Sequence, residues 1–222
     1  MGKTTLVYSC AHSSPEANNK RFDWLGKFIY DLKPDMVIDL GDGADMASLN
    51  SYDKGRPQAI VAQNYEADIN VYNDSQERLR HQFRHHRKGK PTWIGFEGNH
   101  EHRIQTALSY DPRLEGSKYG ISFSHLQTDK YFDEYHPYKN SAPSIANYDG
   151  VDYAHYFAPG GTGRPIAPSG VLNARAISST CGHSHVRSIM FKDGARSPGL
   201  ISANVGCYKG KEESWAGQSN LA

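Results

Sequence analysis

Met36-Val37-Ile38-Asp39-Leu40-Gly41-Asp42-Gly43-Ala44-Asp45 decides the fold. A short apolar run reads as a buried strand, Gly41 stops it, and two carboxylates follow at once in the loop. The same grammar recurs on either side. Thr5 to Ser9 is a β-prone run that ends in Cys10-Ala11-His12, and Trp93 to Phe96 runs into Gly98-Asn99-His100-Glu101. Further on, Val151 to Phe157 reads as a strand carrying His155, and Ala176 to Thr180 leads into Cys181-Gly182-His183-Ser184-His185. Strand after strand ends in side chains able to hold a metal.

Between these strands the spacing changes from two to helical. Phe22, Leu25, Phe28, Ile29 and Leu32 predict an amphipathic helix over 17–33, closed by Pro34. Residues 57–88 carry no Gly or Pro after Pro57 and suit helix, with an imperfect pattern that could hide a break near Asn73. Residues 110–149 are rich in Tyr, Asp, Pro and His and weak in periodicity, and are expected to be an insertion or cap on a single domain spanning 1–222. Pro159 to Gly170 reads as a Gly/Pro loop, and Ser188 to Phe191 and Leu200 to Val205 as closing strands. A polar tail runs from Ser214 to Ala222. Alternating strand and helix of this kind gives an α/β fold.

Bulk properties narrow the function classes. With 222 residues, 37% of them apolar, the chain can bury a core without staples. Its 25 Lys and Arg balance 24 Asp and Glu, a net charge of +1, so a polyanion could be held only by a local patch. Three cysteines, Cys10, Cys181 and Cys207, are too few for a disulfide scaffold. No apolar run approaches the roughly 18 residues of a bilayer span, and no secretory leader is legible. A cytoplasmic protein with no membrane partner is the expectation; its oligomeric state is open.

In layered α/β folds the loops at strand carboxyl ends meet, so clusters distant in sequence converge on one site. The clusters are Cys10/His12, Asp42/Asp45, Asn99/His100, His155 and His183/His185. Two of them are i, i+2 pairs, whose members would point to one side if the backbone were extended. Imidazole, carboxylate, one amide oxygen and one thiolate together suit Zn, Mn or Fe rather than Ca or Mg. Two such ions sharing a carboxylate would clamp the attacking and leaving oxygens of an in-line displacement at phosphorus.

In order, Cys10-x-His12, Gly41-Asp42-x-x-Asp45, Gly98-Asn99-His100-Glu101, His155 and Gly182-His183-x-His185 resemble the five motifs of calcineurin-like metallophosphoesterases. Those read D-x-H, G-D-x-x-D, G-N-H-[DE], H and G-H-x-H. Four match in full, and the resemblance runs from about residue 5 to about residue 205. It implies a four-layer α/β/β/α sandwich of two mixed sheets with a dimetal site on one edge. It also implies that His12, Asp42 and His185 hold one divalent transition-metal ion, that Asp42, Asn99, His155 and His183 hold the other, and that Asp42 bridges them. His100 would protonate the leaving oxygen, and Asp45 would orient it from behind. The family's first Asp is Cys10 in this chain, a thiolate candidate that would tilt the first position toward Zn or Fe.

The implied activity is phosphoester hydrolysis by a metal-bridging hydroxide, on a phosphomonoester or small phosphodiester rather than nucleic acid. A nuclease on the same fold and a degenerate binding or scaffold protein are the alternatives. A structural zinc on Cys10, Cys181, His183 and Cys207 is a rival, though it lacks C-x-x-C pairs. Arg78, Arg80, Arg84, Arg87, Lys88 and Lys90 form an acid-free basic stretch, read as a solvated helix end in preference to a nucleic-acid contact. Tyr131, Phe132, Tyr135 and Tyr138 could stack a leaving group, or could simply be a small core.

Overall fold

A computed structural model describes residues 2–50, 64–84, 89–116, 118, 120–158, 164–193 and 199–209. The first half of the chain builds a sheet from β1 (Thr5–Tyr8), β2 (Met36–Asp39), β3 (Thr92–Phe96) and the later β4 (Glu134–His136). The order is β1-β2-β3-β4 and every pairing is parallel, with Thr5 opposite Met36, Met36 opposite Thr92 and Ile94 opposite Glu134. Parallel pairing needs crossovers, supplied by α1 (Lys20–Leu32) and α2 (Tyr65–Arg80), with α3 (Arg103–Tyr110) and α4 (Thr128–Tyr131) before β4. The second sheet holds β5 (Ala146–Tyr148), β6 (Val151–Tyr153), β7 (Ser178–Cys181), β8 (Arg187–Lys192) and β9 (Leu200–Val205), with α5 (Pro168–Arg175) between β6 and β7. Its order is β5-β6-β7-β9-β8, parallel at the centre and antiparallel at both edges.

Side-chain alternation sets the layers. Tyr8, Val37 and Trp93 face α1 and α2, packing on Phe22, Leu25, Ile29 and Leu79. Their neighbours Val7, Met36, Ile38, Ile94 and Phe96 point the other way, onto Tyr148, Val151, Tyr153 and Val205 of the second sheet. On that sheet's far side α5 packs Val171 against Cys181, Ala154 and Phe157. The layers therefore run helices, sheet, sheet, helix, with the second sheet mixed and the first parallel throughout. No helix among the described residues is long and apolar enough to cross a membrane.

Several local expectations are revised by packing. α1 stops where Lys33 turns left-handed (φ 52°) and returns its N–H to Ile29, just before Pro34. α2 begins at the Asn64 cap, runs unbroken through Asn73, and gives way after Arg80 to a tight turn over His81–Phe83. Residues 57–63 and 85–88 of the expected helix lie outside the described residues, as do 159–163 of the Gly/Pro loop and the tail from Ser214. Pro168 opens a helix instead of continuing that loop, in keeping with its fixed φ at a first helical turn. Part of residues 110–149 supplies an edge strand to each sheet, β4 beside β3 and β5 beside β6.

The described arginines of the basic stretch are spent on structure, while Lys90 is exposed. Arg78 pairs with Asp74 and Asp23, and Arg84 with Glu77. Arg80 lies 4.2 Å over the Trp93 ring and donates to Tyr131 and Gln76. Arg87 and Lys88 fall outside the described residues. Tyr131 and Phe132 join the core, with Tyr135 against them. Tyr138 goes elsewhere, stacking on His102 with ring centroids 4.5 Å apart.

Candidate metal centre

The loops after β1 and β2 are laced by backbone bonds: Cys10 N–H to Gly41 O (2.9 Å), His12 N–H to Asp42 O (2.9 Å) and Ser13 N–H to Gly43 O (2.7 Å). The loop after β3 is tied to them by Glu101. Its carboxyl accepts from the amides of Asp42 (2.9 Å), Gly98 (2.9 Å) and Ala44 (2.8 Å). Gly98 is needed for this approach, because a Cβ there would stand 2.2 Å from both Asp42 N and Asp42 Oδ1. Burial and the charge of Asp42 push the Glu101 pKa up to about 7, while the Ala44 amide pulls the other way.

Five of the gathered residues have left-handed backbones: Cys10 (φ 52°), His12 (46°), Asp42 (55°), His183 (66°) and His185 (60°). The i, i+2 pairs therefore do not converge through extended alternation, as the sequence pattern suggested. Each loop coils on itself and turns both members inward. Such conformations carry a cost for residues with a Cβ and recur at functional sites. His155 likewise lies beyond the end of β6, in a loop.

The side chains form two touching groups. In the first, His12 Nε2 lies 3.0 Å from His185 Nε2. Cys10 Sγ brings its atom within 4.8 Å of both histidines. In the second, Asn99 Oδ1 lies 2.8 Å from His183 Nδ1 and 3.0 Å from His155 Nε2, and the two ring nitrogens are 3.2 Å apart. Asp42 stands between the groups. Its Oδ2 is 3.2 Å from His155 Nε2, and its carboxylate also lies within 4.8 Å of His12 and His100 ligand atoms.

Protons decide whether this is a hydrogen-bond network or a ligand set. His155 Nδ1–H donates to Leu40 O (2.8 Å) and His12 Nδ1–H to Asp45 Oδ1 (3.1 Å), which turns both Nε2 atoms toward the groups. Burial, reinforced by neighbouring imidazoles, lowers His183 and His185 to about 4, so both are neutral at neutral pH. Asp42 is held well below the usual carboxylate range by His155 and His100 despite its burial. The His12–His185 and His155–His183 contacts are each an N–H···N hydrogen bond in one tautomer and a pair of inward-facing lone pairs in the other, and a bound ion would select the second. Ligand atoms about 2.1 Å from a tetrahedral ion lie about 3.4 Å apart, a little wider than the spacings found here. Donor set and geometry thus fit divalent transition ions in both groups.

His100 sits beside the groups. Its amide donates to Asp42 Oδ1 (2.9 Å), its Nδ1–H to Asp45 O (2.6 Å), and its ring meets His12 edge-on with centroids 4.5 Å apart. Asp45 Oδ1 stands between His12 (3.1 Å) and His100 (3.2 Å). Although burial opposes it, Asp42 and Asp45 raise the His100 pKa above the ordinary imidazole value. All nine residues singled out in the sequence are thus brought to one place. Two further residues were missed. Glu101 was visible as the last letter of its motif with no role attached. Arg103 had no signal at all, and it donates to Asp45 O (2.8 Å) and Met46 O (3.2 Å) with Nη2 3.3 Å from His100 Nε2.

Other histidines serve locally, His102 with Glu97, His125 with Tyr65 and His136 with Tyr148. Among the described residues, the groups able to hold a metal include neither Cys181 nor Cys207. Cys181 instead packs in the core and accepts from Asn204.

No family model and no curated protein matches the chain. Among solved structures it is similar to a conserved Streptococcus pneumoniae TIGR4 protein described as a predicted phosphoesterase, at 10% identity and a TM-score of 0.37, over 96% of this chain and 78% of that one. It is also similar to the Pseudomonas putida nuclease MPE, at 12% identity and a TM-score of 0.39, over 95% of this chain and 78% of that one. Two sheets between helices, with ligand-type residues from both gathered in neighbouring loops, form the architecture that the ordered motifs implied.

Proposed function

We propose that the chain is a metal-dependent hydrolase of small phosphomonoesters or phosphodiesters. One observation carries this: two groups of ligand atoms, His12 and His185 3.0 Å apart with Cys10 within 4.8 Å in one, and Asn99, His155 and His183 2.8–3.2 Å apart in the other, both adjoin the Asp42 carboxylate. His12, His185 and Cys10 would hold one divalent ion and Asn99, His155 and His183 the other, with Asp42 shared. When bound, such a pair lowers the pKa of a water and neutralises phosphoryl oxygens.

The chain's own residues supply the rest. As oxygen bonds to phosphorus and the ester P–O bond breaks, the leaving oxygen takes a proton from His100, whose raised pKa favours the protonated ring. Asp45 fixes that ring and Arg103 borders its Nε2. A cavity of about 250 Å³ beside His183, lined by Tyr156, Ile166 and Val186 among others, has room for a modest leaving group. Within a single domain, residues 110–149 would shape specificity through Tyr138, whose amide donates to Glu97 (2.5 Å) and whose phenol pKa is pushed up by burial and by the Asp42 charge. A small substrate is favoured because Arg78, Arg80 and Arg84 are engaged by partners within the fold.

The test uses metal-stripped protein reloaded with Mn or Zn and given an aryl phosphate, a bis-aryl phosphodiester, and single- or double-stranded nucleic acid. Hydrolysis of either aryl ester, lost on chelation, is expected. Cleavage of nucleic acid alone would favour the nuclease reading, and activity on none of them the scaffold reading.

A further inference from the structure

The two ion positions are not chemically equivalent. We propose that Cys10 makes the position it shares with His12 and His185 thiophilic, so that it takes a zinc-like ion, while the Asn99/His155/His183 position takes a harder one such as manganese. This rests on the proposed dimetal reading and goes beyond it by assigning a different class of ion to each half.

The surroundings of Cys10 carry the argument. Its side chain is fully buried, yet the atoms around the sulfur are polar: the Ser9 hydroxyl, the His183 amide, and ligand atoms of His12, His185, Asp42 and His155. A cysteine used as a small apolar group sits as Cys181 does, among Ala154, Phe157 and Val171. The His183 N–H donates to Sγ at 3.1 Å, and Ser9 Oγ lies 3.0 Å away, where either atom can be the donor. Burial and the Asp42 charge hold this sulfur as a thiol until an ion arrives, yet the His183 N–H and the facing ligand atoms leave its lone pair aimed where an ion would take it.

Local construction aims the sulfur at the same position. The Cys10 amide is held by Gly41 O at 2.9 Å in a left-handed turn, which aims the side chain at His12 and His185. Gly182 makes room for Ser9, since a Cβ there would stand 1.8 Å from Ser9 Oγ. On binding, the thiol proton would leave to solvent and the sulfur pair would go to the ion. The other position offers an amide oxygen, two imidazoles and the shared carboxylate. Soft thiolate selects Zn, Co or Cd over Mn, whereas nitrogen and oxygen donors discriminate less.

Cobalt(II) titration of the metal-stripped full chain tests this by absorption. The expected result is an intense near-ultraviolet thiolate-to-cobalt charge-transfer band, lost in both Cys10→Ser and Cys10→Asp. With Zn and Mn offered together, wild type should retain both ions, and Cys10→Asp should shift the retained Mn:Zn ratio toward Mn by about tenfold or more. Two bound cobalt ions without the band, or a band that persists in Cys10→Asp, would overturn the proposal and leave the dimetal reading standing. Failure to bind cobalt at all would overturn both.

Discussion

Glu101→Gln probes the joint that holds three loops together. At pH 5 the wild-type carboxyl, with a pKa of about 7, is protonated. One oxygen then accepts from the Asp42 and Gly98 amides and the other from Ala44. A glutamine can keep the first two bonds, but its NH₂ must face the Ala44 N–H. That loses one bond of about 1 kcal/mol and orphans a buried amide at about 1–3 kcal/mol, so about 2–4 kcal/mol in all. Against a typical total of about 5–15 kcal/mol this is a large loss. Urea unfolding of metal-free protein should show it as a midpoint about 1–2 M lower.

The pH dependence gives a second handle on the same residue. A carboxyl whose folded pKa is raised contributes stability fully below its unfolded value of 4.5, and that contribution is lost as pH rises through about 7. Glutamine does not titrate, so the gap between the two proteins should shrink between pH 5 and pH 8. A gap under about 0.5 kcal/mol at pH 5, or one that widens with pH, would refute the assigned role.

Other perturbations separate the parts of the site. His100→Asn should retain both ions by metal analysis while kcat falls roughly 100- to 10,000-fold, the range of general acid catalysis; near-normal turnover removes His100 from the proton step. Gly98→Ala pushes a Cβ against Asp42, so ion affinity should drop about 10- to 100-fold in calorimetric titration, and unchanged binding would mean that Asp42 is not shared. Asp45 is held below the usual carboxylate range by His100 and His12 despite its burial. Its stabilisation is present above the unfolded carboxyl pKa of about 3.9 and fades as pH falls through the lower folded value. Metal-free Asp45→Asn should therefore be less stable than wild type at pH 7, with the difference narrowing on acidification.

The strands and the residues at their ends were legible because each is local: an apolar run, a stop, then polar side chains. β2 was expected at Met36 to Leu40 and is found at Met36–Asp39, and β9 falls at Leu200–Val205 as read. The mechanism of convergence was not legible. A pattern of i, i+2 says nothing of φ, and the left-handed turns at Cys10 and His12 are held by backbone ties to Gly41 and Asp42, while His183 gives its N–H to the Cys10 sulfur. Glu101 and Arg103 were hidden for a related reason: their partners are main-chain atoms, which leave no trace in residue identities. β4 and β5 escaped notice because each is only three residues long and is stabilised by the sheet edge it joins.

The contact between His12 and His185 spans 173 positions of chain, and His155 reaches across to the first carbonyl after β2. Neither half of the polypeptide owns a complete set of donors. Closing loops of that length is slow and entropically expensive, so the pocket matures only once both halves of the molecule have folded onto each other. Any ion captured there would then act as a late latch, adding stability with its free concentration by mass action.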